Sequence, residues 1–288
     1  MPAIHPKFLH SAIYLYQSKV AALEGASAGA SGFLVSVPSV HAGWFHLYAV
    51  TNKHVVDGGC QVLRVNTRDG QFKTIETQPS EWILAVDDDL AVRSLTLTEE
   101  FYWWAVPFED FLTPLIMKGM TGLPIGPGDE VALIGRFVSL EGRQRNRPVV
   151  RFGNIAMDPD PDEKIHLSTG EQEAFLIECR SLSGFSGSAV LVYPSATRGN
   201  ITFDRQLGPL LLGVDCAHMP TWKPVCSEKD PSTAYPDNDM WVDTNSGMAA
   251  VIPAWRLAAL LVDQHLVKER EREDEDLRKP QDNSKQAK

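Results

Sequence analysis

Ser181-Leu182-Ser183-Gly184-Phe185-Ser186-Gly187-Ser188-Ala189-Val190-Leu191-Val192 sets one hydroxyl, Ser186, between two glycines and then runs into an unbroken apolar strand. A serine that attacks a carbonyl needs a tight turn that pushes its Oγ outward. Glycines allow that turn and let backbone N–H groups converge on a developing oxyanion with no Cβ in the way. Gly-rich serine turns also occur as plain loop chemistry, so the stretch acquires meaning only if a base and an orienting acid exist elsewhere in the chain.

A nucleophilic serine is inert unless a histidine takes its proton and a carboxylate fixes the tautomer of that histidine. His54 lies just beyond the tip of an apolar strand in Ala49-Val50-Thr51-Asn52-Lys53-His54-Val55-Val56. Asp89 is the last acid of Asp87-Asp88-Asp89 and leads into Leu90-Ala91-Val92, which makes it the member expected to be buried. Asp87 and Asp88 are the alternates for the acid. Ser188 is the alternate nucleophile, disfavoured because it sits where the strand begins and packing would tie up its side chain.

Thr51-Asn52-Lys53-His54, Asp89-Leu90-Ala91-Val92 and Gly184-Phe185-Ser186-Gly187-Ser188 resemble, in the order His, Asp, Ser, the three signature motifs of the trypsin-like (chymotrypsin-fold) serine endopeptidases. Ser31-Gly32-Phe33-Leu34-Val35, Leu212-Gly213-Val214-Asp215-Cys216 and Ala249-Ala250-Val251-Ile252-Pro253 extend the likeness, which spans residues 10–266 and lies nearer the bacterial and stress-protease branch than the digestive one. The resemblance implies an all-β fold of two packed six-stranded antiparallel β-barrels with a C-terminal helix. Residues 10–112 would form the barrel carrying His54 and Asp89, residues 113–252 the barrel carrying Ser186, and residues 253–288 a helix with a charged tail. It also implies acyl transfer on a peptide or protein substrate, with the backbone N–H groups of Gly184 and Ser186 as the oxyanion hole and no cofactor or metal. In such proteases the floor of the primary specificity pocket lies six residues before the nucleophile. That position is Arg180 here, with Cys216, Ala217 and His218 along the wall, and a cation there would favour an acidic side chain before the scissile bond. Where the digestive branch carries an aspartate that pairs with a newly cut N-terminus, this chain has Phe185, so activity is expected without removal of a pro-segment. The alternative is a catalytically lapsed, peptide-binding module of the same fold.

The rest of the chain bounds these readings. With 288 residues, 43% of them hydrophobic and 22% charged, it can bury a large core. A formal net charge of −10 argues against a nucleic-acid partner, whose phosphates it would repel. No apolar stretch is long enough for a signal peptide or a membrane span, and four cysteines are too few for a disulfide scaffold, so free thiols and a cytoplasmic location are expected. Asp69-Gly70 predicts a hairpin, and Glu99 to Leu112, rich in aromatics, reads as the crossover between halves. Glu141 to Arg147, with three arginines, reads as a solvated loop. Pro253 should open a helix with Trp255, Ala258, Ala259, Val262 and Leu266 on one face, and Lys268 to Lys288 should fray and then lose structure.

Two rival chemistries use other residues. An α/β-hydrolase would pair Ser186 with Asp215 or Asp263 and with His265, but Ser188 breaks its Gly-x-Ser-x-Gly elbow and the flanks lack alternating helices. A metal site from Cys216, His218 and Cys226 has suitable ligand types at a spacing that matches no common zinc knuckle.

Overall fold

The computed structural model describes residues 3–25, 29–120, 124–138, 140, 142–179, 181, 184–194, 208–225 and 241–278. The first part of the chain contains β1 (Ala12–Tyr16), α1 (Lys19–Glu24), β2 (Ala30–Pro38), β3 (Phe45–Thr51), α2 (Lys53–Asp57), β4 (Val62–Asn66), β5 (Phe72–Glu76), β6 (Ile83–Leu84), β7 (Ala91–Ser94) and β8 (Val106–Pro107). After α3 (Pro114–Met117) come β9 (Glu130–Gly135), β10 (Val149–Met157), β11 (Ile165–Leu167), β12 (Gly170–Gln172), β13 (Phe175–Glu178), β14 (Ala189–Tyr193), β15 (Leu210–Pro224), β16 (Trp241–Pro253), α4 (Ala254–Leu261) and α5 (Gln264–Arg278).

The first set of strands forms one eight-stranded sheet in the order β5-β4-β1-β2-β3-β7-β6, with β8 alongside β2. Two of the eight, β6 and β8, are only two residues long, so six longer strands carry the sheet. The second set closes into a six-stranded antiparallel barrel, β10-β13-β16-β15-β14-β9, and β11 and β12 make a separate hairpin. This is the chymotrypsin-like, all-β architecture with a C-terminal helix. Strand alternation explains how the two halves meet. On β2 and β3, Leu34, Leu47 and Ala49 point into one core with Ile13, Leu15 and Leu63. Their neighbours Phe33, Val35, Tyr48 and Val50 point to the opposite face, into the core that includes Val190, Leu211 and Val251 of the closed barrel. The Asp69-Gly70 hairpin joins β4 to β5, and Gly70 sits at φ 81°, in the left-handed region that its missing Cβ allows.

Three expectations change on contact with the tertiary structure. The Glu141 to Arg147 loop keeps Arg143 and Arg145 in solvent, but its backbone is fastened to the first sheet. Arg64, fully buried on β4, donates to Gly142 O at 2.6 Å, and Asn146 Nδ2 donates to Arg64 O at 2.6 Å. On α4 the buried face is Ala254, Leu257 and Leu261, while Ala259 and Val262 face solvent. The helix starts at Ala254 with Pro253 at its N-cap, which sets the phase of the apolar stripe. The charged segment after Lys268 does not fray at once: α5 continues to Arg278 and straps back over the first sheet. Its Asp274 accepts from Ser39 Oγ at 2.6 Å and meets His46 Nε2 at 3.1 Å, Glu273 meets His46 Nδ1 at 2.7 Å, and Arg270 donates to Tyr48 OH at 2.9 Å. Among the described residues no helix is long and apolar enough to cross a membrane.

Candidate active site

β3 ends at Thr51, Asn52 caps the short helix α2, and His54 is its second residue. The turn before β7 delivers Asp89 to the same corner. His54 N donates to Asp89 Oδ1 at 2.8 Å, and His54 Nδ1 meets Asp89 Oδ2 at 2.6 Å, so both carboxylate oxygens are spent on one residue. Asn52 Nδ2 donates to the Asp89 carbonyl at 2.9 Å and closes the corner from behind. The side chain of Asp89 is 7% exposed and that of His54 is 35% exposed, so the outer face of the imidazole is free to meet a ligand.

The acids beside Asp89 have other work. Arg256 of α4 grips Asp88, Nε donating to Oδ2 at 2.9 Å and Nη2 reaching the same oxygen at 2.8 Å. Gln172 of β12 bridges the two acids, donating to Asp88 Oδ1 at 2.8 Å and accepting from Asp89 N at 3.0 Å. Asp88 is therefore occupied by a guanidinium, and Asp89 alone of the three acids bonds the histidine. Nothing in the sequence pattern signalled Gln172 or Arg256, because their positions depend on how β12 and α4 cross the loop.

The serine turn comes from the other half. Gly184 and Gly187 sit at φ 95° and 85°, where a side chain is strained, and a Cβ on Gly187 would collide with Ser31 O and Thr51 Oγ1. Ser31, on β2 of the first sheet, clamps the turn: its Oγ donates to Gly184 O at 2.7 Å and accepts from Arg136 N at 2.8 Å, while its own N–H donates to Ser186 O at 3.0 Å. Phe185 is fully buried with the Arg151 guanidinium 5.2 Å from its ring centroid, so packing and a cation–π contact fill the place before the serine. Ser188 is fully buried at the start of β14 and cannot meet a substrate.

His54 and Ser186 line one cleft of about 670 Å³ together with Ser181, Gly184, Cys216, Ala217 and His218. Among the described residues, no hydrogen bond joins Ser186 Oγ to His54. Cys216 is buried and its Sγ donates to Ala250 O at 3.3 Å; burial, then the nearby Asp215 and Asp89 carboxyls, hold its thiol well above the ordinary range, so it is not a thiolate nucleophile. Arg180 and Cys226 lie outside the described residues, and with Cys226 goes part of the metal alternative. The α/β-hydrolase alternative fails on topology, since every strand pair of the barrel is antiparallel. Asp263 accepts from His265 N at 2.8 Å in an exposed turn after α4.

Comparison with solved structures agrees with the architecture. The chain is similar to the MamO protease domain of Magnetospirillum magneticum, with 16% identity and a TM-score of 0.50 over 90% of this chain and 100% of that one. It is also similar to the inactive form of the Rv3671c protease of M. tuberculosis, with 14% identity and a TM-score of 0.44 over 88% of each chain. No family model and no curated protein matches the sequence. The fold is that of the trypsin-like proteases.

Proposed function

We propose that the protein is a serine endopeptidase that hydrolyses peptide bonds through His54, Asp89 and Ser186. The observation that carries this reading is the doubly bonded His54–Asp89 pair, whose free imidazole edge faces the cleft that Ser186 also lines. Asp89 holds Nδ1 protonated, which leaves Nε2 as the acceptor for the Ser186 proton when the hydroxyl attacks a carbonyl. Asp89 then stabilises the cationic imidazolium, and the N–H groups of Gly184 and Ser186 receive the oxyanion. His54 returns the proton to the leaving amine, and water releases the acyl group by the same relay in reverse. Buried free thiols at Cys60, Cys179 and Cys216 support a reducing, cytoplasmic setting.

One observation favours a second reading, a lapsed module that binds peptides without cutting them: the Ser186–His54 hydrogen bond is not made among the described residues. Catalytic hydrogen bonds are often long in ligand-free proteins and tighten in the complex, so the geometry supports the enzyme first. The deciding experiment incubates purified protein with a peptide library and an active-site phosphonate, beside Ser186→Ala. Labelling and cleavage that vanish in the variant support the enzyme, whereas peptide binding with neither labelling nor cleavage leaves the module.

A further inference from the structure

The two N–H groups proposed to receive the oxyanion belong to Gly184 and Ser186, so the backbone angles of Gly184 and Phe185 set whether they converge on one oxygen. Gly184 is held through its carbonyl, which accepts from Ser31 Oγ at 2.7 Å. Phe185 is held through its ring. The ring is fully buried and lies against the bare backbone of β9, where a Cβ on Gly135 would fall 2.9 Å from Phe185 Cδ1. Over the same ring stands Arg151 of β10, its guanidinium carbon 5.2 Å from the centroid. That guanidinium also stands 5.6 Å from the centroid of Phe137, the second residue after β9. The stem of Arg151 starts from a rigid place, because β10 is laddered to both β9 and β13 in the closed barrel.

A cation in that place needs a reason. Nε of Arg151 is buried with no hydrogen-bond partner among the described residues, and no carboxylate among them pairs with the guanidinium. Withdrawing an unpaired charge from water is costly. A guanidinium tolerates it better than an ammonium, being more weakly hydrated and attracted to the negative faces of aromatic rings, and the attraction strengthens as water is excluded. We propose that Arg151 is a positioning residue for the oxyanion hole: by drawing Phe137 and Phe185 onto one guanidinium, it fixes the turn in the conformation in which the N–H groups of Gly184 and Ser186 point at one oxygen. This inference rests on the serine-endopeptidase reading and adds a residue to it. Arg151 is not among the residues that line the cleft with His54 and Ser186, so it takes no proton and meets no substrate, and it acts through Phe185. Two consequences separate this role from plain space-filling. The hold follows the electron density of the Phe185 ring and not its size. The oxyanion forms only once the hydroxyl has attacked, so the loss of Arg151 falls on kcat and leaves KM.

The test varies the ring and the cation separately. Mono-, di- and trifluorophenylalanine take the place of Phe185, which keeps the ring's shape and drains its negative face, in the wild-type protein and in Arg151→Met. A fluorogenic peptide chosen from the library screen gives kcat and KM, and a peptidyl trifluoromethyl ketone, whose adduct with the serine carries an oxyanion, reports on the hole directly. In the wild-type background kcat is expected to fall with each added fluorine, by roughly tenfold in all, with KM nearly unchanged and the ketone weakened in parallel. Arg151→Met is expected to start about tenfold down and to ignore fluorination, and Arg151→Lys to recover part of the loss. Thermal unfolding checks that each variant is folded at the assay temperature, and should Arg151→Met not be, the fluorine series in the wild-type background and Arg151→Lys decide the matter. A kcat indifferent to fluorination, an equal response with and without Arg151, or a change confined to KM overturns the inference while keeping the protease. Wild-type protein that neither cleaves a peptide nor takes up the phosphonate overturns the protease reading, and this inference with it.

Discussion

Two buried aspartates, Asp89 behind His54 and Asp215 behind the serine turn, are treated by the protein in opposite ways. Asp89 is 7% exposed and accepts from both the backbone and the ring of His54. Its two oxygens are matched by directed partners, and Gln172 holds the backbone behind it. Asp215 is fully buried, receives one hydroxyl, and is driven towards the neutral form. Burial alone does not decide whether a carboxyl keeps its charge; the count and polarity of donors pointed at it do. The first acid is bonded twice by one histidine, whereas the second has a single hydroxyl donor and so favours its proton.

The comparison is sharpened by substitution, beginning with the largest effect. Ser186→Ala and His54→Ala are each expected to lose on the order of a millionfold in kcat, because the pair acts as a unit. Steady-state cleavage of a fluorogenic peptide measures this, and residual turnover within a hundredfold of wild type would remove Ser186 from the mechanism. Asp89→Asn should fold normally and run roughly ten-thousandfold slower, through the wrong imidazole tautomer. If Asp88→Asn were the slower variant, the acid would be misassigned and the Arg256 grip on Asp88 would have to be reread.

Asp215 is predicted to show itself in stability. Its folded-state value of about 8 lies above the ordinary 3.8, so the folded protein holds a proton there that the unfolded chain has lost. Its contribution is fully present below about pH 4, declines as pH rises from there to about 8, and is then level. Asp215→Asn should match wild type near pH 4 and exceed it at pH 8.5, by at most on the order of 5 kcal/mol. Denaturant titrations at the two pH values check this, and a gain that is the same at both would mean that Asp215 is ionised in the fold.

Smaller effects test the outer supports. Gln172→Leu removes the acceptor for Asp89 N and the bridge to Asp88, and is expected to slow kcat about tenfold with KM nearly unchanged, the pattern of a misplaced catalytic group. A change in KM alone would place Gln172 in substrate binding instead. Asp274→Ala should cost about 1 kcal/mol by removing the α5 partner of Ser39 Oγ and of His46 Nε2, while Glu273 keeps its bond to His46 Nδ1. Faster hydrogen exchange confined to α5 is the expected readout, and unchanged exchange would mean the strap is held by other contacts.

His54 and Asp89 could be read from the chain because each stands at the end of an apolar strand in a short motif, and strand ends are local facts. The same holds for Ser186, since the glycines that allow its turn are adjacent in sequence, and for the antiparallel strands with their Asp69-Gly70 hairpin. The C-terminal segment misled for a physical reason. A helix that is polar on nearly every side, such as α5, carries no periodic apolar signal, and it is kept helical by contacts from Asp274, Glu273 and Arg270 to strands more than two hundred positions away.

The sequence by itself determined the class of fold, the order of the three candidate catalytic groups and the small residues that let the serine turn exist, because strand periodicity, glycine freedom and motif order act over short stretches. Only the tertiary structure decided that Ser31 of the first sheet clamps that turn, that Arg256 and Gln172 occupy Asp88 so that Asp89 is left to the histidine, and that Asp215 lies unmatched behind Ser181. Each of these depends on which strand crosses which loop in three dimensions, and the hydrogen-bonding capacity of a buried group is set by whatever the folded chain brings within about 3 Å of it.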